Sequence, residues 1–341
     1  MRTLVISDLH LGMRLERDVL RRGAPLGVLL EALADVQRLV LLGDVVELSE
    51  RGPDEALAVA ELALRALGRR LGPDREVILV PGNHDRRLVA PWIQEMGERL
   101  SIDSSAPVDA TPELAAVSSW LAPARVSVRY PGVWLSDRVW ATHGHYLNRD
   151  LLPAWSLGLT RGHLGRLSRG AARPVDYEPA GGRSLRSAHE AISGALPEPL
   201  AGAADRLGVL ARVATMAKAS RKLLRPELAR ANSGLLSLQT KVASIPALIH
   251  VTQCLGIEAD YVLFGHVHRL GPLPGDDEAD WQGADGRPRI VNTGSWIYEP
   301  LLVQDVTPPH PYWPGGAAIL DDDADPEPVG LLDTMPASAL R

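Results

Sequence analysis

The stretch Val80-Pro81-Gly82-Asn83-His84-Asp85 decides how the chain is read. An apolar run from Glu76 to Val80 ends in a proline and a glycine, and an amide, an imidazole and a carboxylate follow at once. Taken alone, this is a strand running into a turn. Four more runs finish in the same manner, at Asp8-Leu9-His10, Gly43-Asp44, Thr142-His143-Gly144-His145 and Gly265-His266-Val267-His268. In open α/β sheets the crevice outside the carboxyl ends of the strands is where ligands bind, so five such endings predict one shared site.

Upstream of that stretch, Leu4 to Ser7 reads as a buried first strand with both faces covered. Asp8 and His10, two apart on an extended segment, are expected to face one point, although alone the pair would be an incidental turn. Helical spacing of Val28, Leu29, Ala32, Leu33 and Val36 and a strand over Arg38–Leu42 complete a βαβ unit, which brings Asp44 beside Asp8 and His10. The two oxygens of Asp44 are expected to reach separate ions. Glu47 reads chiefly as a charge at a helix N-terminus. A second helix is expected over 54–70. Gly82 is read as the residue that lets the backbone turn sharply. Asn83 offers an amide oxygen, His84 is kept as an unligated acid, and Asp85 is assigned to fixing its tautomer.

Downstream, residues 86–125 show a helix near Pro91–Leu100 and then proline-punctuated loops. Short strands at 126–129, 133–135 and 139–142 predict a second, antiparallel sheet region, and of its terminal histidines His143 is the expected ligand. From Tyr146 to about His250 strand alternation is missing and the chain reads as a helical insertion. Between Arg149 and Lys241, 15 Lys or Arg face 7 Asp or Glu, a surplus of eight in a chain whose net charge is -6. Tyr261–Phe264 is a further strand, with His266 and His268 expected to aim at one point. Arg289–Asn292 leads into Thr293–Trp296, a turn assigned to packing around the site. A hairpin at 317–320 and 328–332 closes the chain, followed by a frayed tail. The organisation expected is a core over 1–146 and 251–333, a helical cap over 147–250 and a tail over 334–341.

Composition bounds the function. With 341 residues, 45% hydrophobic and 23% charged, the chain is that of a soluble globular protein. An acidic balance gives no global footprint of a dedicated nucleic-acid binder. The single cysteine, Cys254, excludes an intramolecular disulfide and reads as a buried small hydrophobe in a reducing compartment. No apolar run approaches the roughly 18 residues of a membrane span. The expected location is the cytoplasm, with the basic insertion able to attach to an anionic membrane surface.

Together the strand ends supply Asp8, His10, Asp44, Asn83, His143, His266 and His268. Such an oxygen and nitrogen set without thiolate suits Mn²⁺, Fe or Zn²⁺ and exceeds what one tetrahedral ion uses. Two ions roughly 3.5 to 4 Å apart, with Asp44 between them, account for the surplus. Metal binding can lower the pKa of water to about 7, so hydroxide is available to attack phosphorus, with His84 protonating the leaving oxygen.

Asp-x-His at Asp8/His10, Gly-Asp at Gly43/Asp44, Gly-Asn-His-Asp at Gly82–Asp85, the single His143 and Gly-His-x-His at Gly265–His268 resemble, in order, the motifs of the calcineurin-like metallophosphoesterases. The resemblance implies an α/β fold of α+β type, a two-sheet β-sandwich flanked by helices, here with a helical insertion. It also implies a dinuclear centre hydrolysing phosphomonoesters, phosphodiesters or pyrophosphates. One ion would be held by Asp8, His10, Asp44 and His268, the other by Asp44, Asn83, His143 and His266. Ser7–Gly12, Gly43–Glu47 and the insertion after His143 look most like the UDP-2,3-diacylglucosamine pyrophosphatase branch. The chain departs from that branch in a longer insertion and in Thr-His-Gly-His where His-Gly-Asp is expected. The substrate expected is therefore a small or lipid-linked phosphate, with Asn83, Arg149, Arg161 and Arg166 as candidate phosphate contacts. A nuclease of the same family would need a basic track outside the insertion, and a metal-free scaffold would need missing ligands.

Overall fold

Alternation along the apolar runs shows why they need cover on both faces. In β1 (Arg2–Ile6), Leu4 and Ile6 point into one core and Val5 into another. Leu39 and Leu41 part from Val40 in β2 (Arg38–Leu41), as Val77 and Leu79 part from Ile78 in β3 (Glu76–Leu79). Each such side chain is nearly or fully buried, a gain of about 1.5 to 3 kcal/mol apiece over exposure. The structure, a computed structural model, describes residues 1–50, 52–149, 170–181, 226–322 and 324–341.

Helices α1 (Gly23–Ala32) and α2 (Pro53–Leu71) cross between the first three strands, which pair in parallel. After α3 (Ala90–Met96) come β4 (Ser104–Ala106), α4 (Pro112–Trp120) and β5 (Arg125–Tyr130). Two of these were expected to be loop. Yet Thr111 accepts from the Leu114 amide at 3.1 Å and Pro112 opens the helix, a cap and first-turn pair worth about 1 kcal/mol. The expectation that β5 belongs to the second sheet is also corrected, because it pairs in parallel with β3.

A second sheet is formed by β6 (Gly132–Trp134), β7 (Val139–Thr142), β8 (Tyr261–Phe264), β9 (Leu270–Gly271) and β10 (Arg289–Thr293). The closing hairpin, β11 (Gly316–Asp321) and β12 (Glu327–Gly330), joins the first sheet, giving the order β12-β11-β1-β2-β3-β5-β4 against β6-β7-β8-β10-β9 among the described residues. Val5, Val40 and Ile78 meet Val139, Leu263 and Val291 between the sheets. Trp140, Val262 and Phe264 turn outward onto α7 (Ile245–Cys254). Two sheets flanked by helices is therefore the architecture.

β7 and β8 are parallel neighbours although more than a hundred residues separate them in sequence. Between them lie α5 (Pro174–Gly181), α6 (Pro226–Gln239), a π-helical turn (Thr240–Ser244) and α7, which runs past the boundary expected at 250. Arg161 and Arg166 lie outside the described residues. Cys254 is buried, as expected. The tail is not frayed: after α8 (Pro300–Val303), the last helix α9 (Ala337–Leu340) buries Leu340, and the Arg341 carbonyl accepts from Arg22 Nε at 2.7 Å. Among the described residues no helix is long and apolar enough to cross a membrane.

Candidate metal centre

Parallel strands β1, β2 and β3 of one sheet and β7 and β8 of the other all end at the same place, so the five polar endings do meet. The backbone that delivers them is not extended. Asp8 (φ 55°), His10 (φ 43°), Asp44 (φ 52°), His266 (φ 68°) and His268 (φ 58°) are five of the eight non-glycine residues with left-handed φ among the described residues. Such conformations cost on the order of 1 to 3 kcal/mol each and persist where the surroundings hold them. Here the β1 and β2 loops brace each other: the Asp8, His10 and Leu11 amides donate to the Gly43, Asp44 and Val45 carbonyls at 2.8 to 3.0 Å.

This corrects the period-two argument. His266 and His268 are not on a strand, and their rings part. His268 Nε2 lies 3.1 Å from Asp8 Oδ1, whereas His266 is edge-on to His143 with ring centres 5.2 Å apart. Glycine is needed at Gly43, Gly82 and Gly265 for space. A Cβ would stand 2.3 Å from His143 Nδ1 at Gly43, 2.3 Å from Asp44 Oδ1 at Gly82 and 2.4 Å from Asp8 Oδ2 at Gly265. At Gly82 crowding, not a left-handed turn, is the reason.

Three groups of donor atoms form, each within 4.8 Å internally: Asp8, His10 and His268; His10, Asp44 and His84; Asp44, His143 and His266. Asp44 Oδ2 stands 3.7 Å from His10 Nε2 and 3.1 Å from His143 Nε2. Its Oδ1 accepts the His84 backbone N–H at 2.8 Å, while Oδ2 is the oxygen that stands near both imidazoles. Asn83 Oδ1 lies 3.2 Å from His143 Nε2. His143 Nδ1 donates to the Leu42 carbonyl at 3.0 Å, which turns the lone pair of Nε2 toward Asp44 and Asn83. His145, the alternative, instead bonds the Tyr130 hydroxyl through Nε2 at 3.2 Å.

A metal fits this set by two tests. Donor atoms about 2.1 Å from one ion and at right to tetrahedral angles are about 3.0 to 3.4 Å from each other, near the separations found. Asp8 Oδ1 and His10 Nε2 are also buried with no hydrogen-bond partner, in breach of the rule that buried polar atoms are paired. The charge balance points the same way. Burial raises the Asp8 and Asp44 carboxyls, but nearby imidazoles, chiefly His268 for the first and His143 for the second, hold both well below the usual range. Burial lowers His143, but Asp44 lifts it to about 9. His266, buried and beside His143, falls to about 3.

Around His84 the structure reassigns two residues. Asp85 does not hold the imidazole. Its oxygens accept the Gly82 and Val45 amides at 2.6 and 2.7 Å, tying the β3 loop to the β2 loop, and burial together with Asp44 raises its carboxyl to about 6. The orienting acid is Glu47, whose Oε2 lies 2.8 Å from His10 Nδ1 and 2.7 Å from His84 Nδ1, while Oε1 accepts from Ser49. It is buried and opens no helix. Burial lowers His84 and the Glu47 hydrogen bond outweighs it, so the ring is raised overall and about a third exposed.

Several contributors were not foreseen. Asn148 Oδ1 accepts from His266 Nε2 at 3.0 Å, and Asn292 Nδ2 donates to the Gly265 carbonyl at 2.7 Å. Ser7 bridges Thr293 and Asp8, and the Trp296 amide donates to the Asp8 carbonyl, in keeping with the packing role read for Thr293–Trp296. Arg149, the expected phosphate contact, is turned to the insertion: its guanidinium donates to the Asp176 carbonyl at 2.5 Å and lies over the Tyr177 ring. Beside it, Glu178 of α5 accepts from the Tyr130 hydroxyl at 2.8 Å and the Tyr146 hydroxyl through Oε1. Its Oε2 accepts from Arg86 Nε and Nη2 at 3.0 and 2.6 Å.

Comparison with known proteins agrees with the motifs. Residues 1–163 match the family model described as calcineurin-like phosphoesterase. No curated protein matches the chain. Among solved structures, a cold-active protein-tyrosine phosphatase of a psychrophilic Shewanella species is similar at 13% identity and a TM-score of 0.31, over 96% of this chain and 80% of that one. A mutant cold-active protein tyrosine phosphatase gives 13% and 0.32 over the same shares. Likenesses that distant carry no weight for fold or substrate.

Proposed function

We propose that the chain is a two-metal phosphohydrolase acting on a phosphoester or pyrophosphate, a reading supported by the match of residues 1–163 to the family model described as calcineurin-like phosphoesterase. The observation that carries the reading is Asp44 Oδ2, a single buried carboxylate oxygen standing between His10 Nε2 and His143 Nε2. Asp8, His10, Asp44 and His268 would hold one ion, and Asp44, Asn83, His143 and His266 the other. Divalent ions there, Mn²⁺ first and Fe or Zn²⁺ next, supply Lewis-acid polarisation of phosphoryl oxygens and of water.

The chain's own residues do the rest. Glu47 Oε2 accepts hydrogen bonds from Nδ1 of His10 and His84, which fixes both rings and leaves Nε2 of each facing the site. His84, its pKa raised through the Glu47 hydrogen bond and its ring partly exposed, is the group placed to protonate the leaving oxygen. Asp85 and the three glycines hold the loops at the separation this needs. The stretch 147–250, read as a specificity cap, lies largely outside the described residues; its basic surplus between Arg149 and Lys241 supports an anionic substrate, lipid- or nucleotide-linked, and peripheral contact with a membrane surface, and the cytoplasm is the site of action that goes with this reading. The test is hydrolysis of p-nitrophenyl phosphate and bis-p-nitrophenyl phosphate by the Mn²⁺-loaded protein, with metal analysis. Two ions per chain with turnover are expected; inertness toward both esters in a protein that retains no metal overturns the reading.

A further inference from the structure

His266 borders two spaces. One is the donor cluster with Asp44 and His143. The other is a cavity of about 170 Å³ between α6, the π turn and the loop that follows His266. Leu236 and Val267 give that cavity apolar walls, and Gln239, Thr240, Ser244 and Tyr312 give it one amide and three hydroxyls. Its lining among the described residues contains no Lys, Arg, Asp or Glu.

Tyr312 is the odd member. It is 3% exposed, and its hydroxyl faces those of Ser237 and Thr240 but makes no hydrogen bond of good geometry with either. Thr240 has already spent its own proton on the Leu236 carbonyl at 2.9 Å. A buried hydroxyl left in this state costs about 1 to 3 kcal/mol, and a ligand oxygen would recover it. The backbone here is a π turn, a departure that recurs at functional sites. At about 30 Å³ per water in the liquid, the cavity takes on the order of half a dozen water-sized groups. That suits a glycerol-sized or single-sugar group and is too small for a lipid chain.

We infer that this cavity is the subsite for the alcohol half of the substrate, a small uncharged polyol or sugar whose hydroxyls meet Tyr312, Thr240 and Ser244 while its phosphate lies at the metal centre beside His266. The inference rests on the phosphohydrolase reading. In the reaction water adds to phosphorus, the bond from phosphorus to the polyol oxygen breaks, and the polyol leaves with a proton. Among the described residues the lining carries no charged side chain, which favours an uncharged alcohol half over one bearing a second phosphate or a carboxylate.

The test compares sn-glycerol 3-phosphate with n-propyl phosphate, which lacks the two hydroxyls. The Mn²⁺-loaded wild type should prefer the glycerol ester at least tenfold in kcat/KM. Tyr312→Phe should cut that preference to within threefold by raising KM for the glycerol ester alone, with p-nitrophenyl phosphate turnover changed less than twofold. Leu236→Trp, at the exposed rim, should fill the cavity and abolish the preference with an unchanged Tm. Calorimetry of the same two esters on the same proteins should show the same order of binding, with or without turnover. Equal binding of the two esters by the wild type, or an equal loss for every substrate in Tyr312→Phe, overturns the subsite. If nothing is hydrolysed but the glycerol ester still binds more tightly through Tyr312, the subsite stands and it is the hydrolase reading that falls.

Discussion

Two clusters of buried ionisable groups sit on adjoining loops and are satisfied to different degrees. Around Asp44, carboxylates and imidazoles crowd together while Asp8 Oδ1 and His10 Nε2 complete no hydrogen bond. Around Glu178, one carboxylate takes two tyrosine hydroxyls on one oxygen and the Arg86 fork on the other. The loops are shared, since Arg86 follows Asp85 directly and His145 lies with its ring 5.7 Å from that of His143. Buried charge with complete partners is a fastening. Buried charge that lacks them, built on strained left-handed backbone, is a place prepared for something else to bind.

The contrast breaks if both clusters answer to mutation alike. Asp44→Ala should have the largest effect, loss of both ions and of turnover beyond the 10- to 100-fold typical of outer partners, with the fold retained by circular dichroism. Metal analysis beside activity checks this, and a variant that keeps two ions would remove Asp44 from its shared position. His84→Ala comes next, a fall of about 10² to 10⁴ in kcat with metal content unchanged. Glu178→Ala should show the opposite signature. It strands the Arg86 guanidinium and two hydroxyls, costing roughly 3 kcal/mol, the low end for a broken buried pair because Arg86 is a fifth exposed. Its Tm should fall while turnover per folded, metal-loaded molecule stays near wild type. Lost turnover at an unchanged Tm would make Glu178 part of the chemistry.

How legible all this was in the sequence follows from how local each feature is. The five endings could be read because each joins an apolar run to polar residues within four positions, and the two sheets follow from the same alternation. The pairing of Glu178 with Arg86, 92 residues apart, has no local signal. Neither does the choice of β3 as the partner of β5, which depends on which edge is free. Helix α4 carries its own signal in Thr111-Pro112-Glu113, which competes with prolines on either side that favour loops. Geometry at the site failed for a physical reason: period-two reasoning assumes extended backbone, and five of the seven candidate ligands, Asp8, His10, Asp44, His266 and His268, lie just past the strand ends in left-handed conformations.

Smaller effects sharpen the same contrast. Glu47→Gln keeps the shape and removes the charge that orients His10 and His84, so a loss of about 10- to 100-fold in metal affinity or activity is expected, larger than that of Asp85→Asn. Smallest is the pH response of the metal-free protein. His143 at about 9, together with the raised His10 and His84, lies above its unfolded value, so the stability these groups contribute is complete below about pH 6.5 and is lost as pH rises through the folded values. His266 at about 3 and Asp85 at about 6 do not change charge in the folded state between pH 7 and 9, which leaves the raised histidines to set the slope there. With EDTA, Tm should therefore decline from pH 7 to 9. With Mn²⁺ it should hold or rise over the same range, because ligand histidines must lose their protons to bind and affinity strengthens with pH. Parallel Tm curves in the two conditions would mean that those imidazoles hold protons for the fold and not in place of a metal.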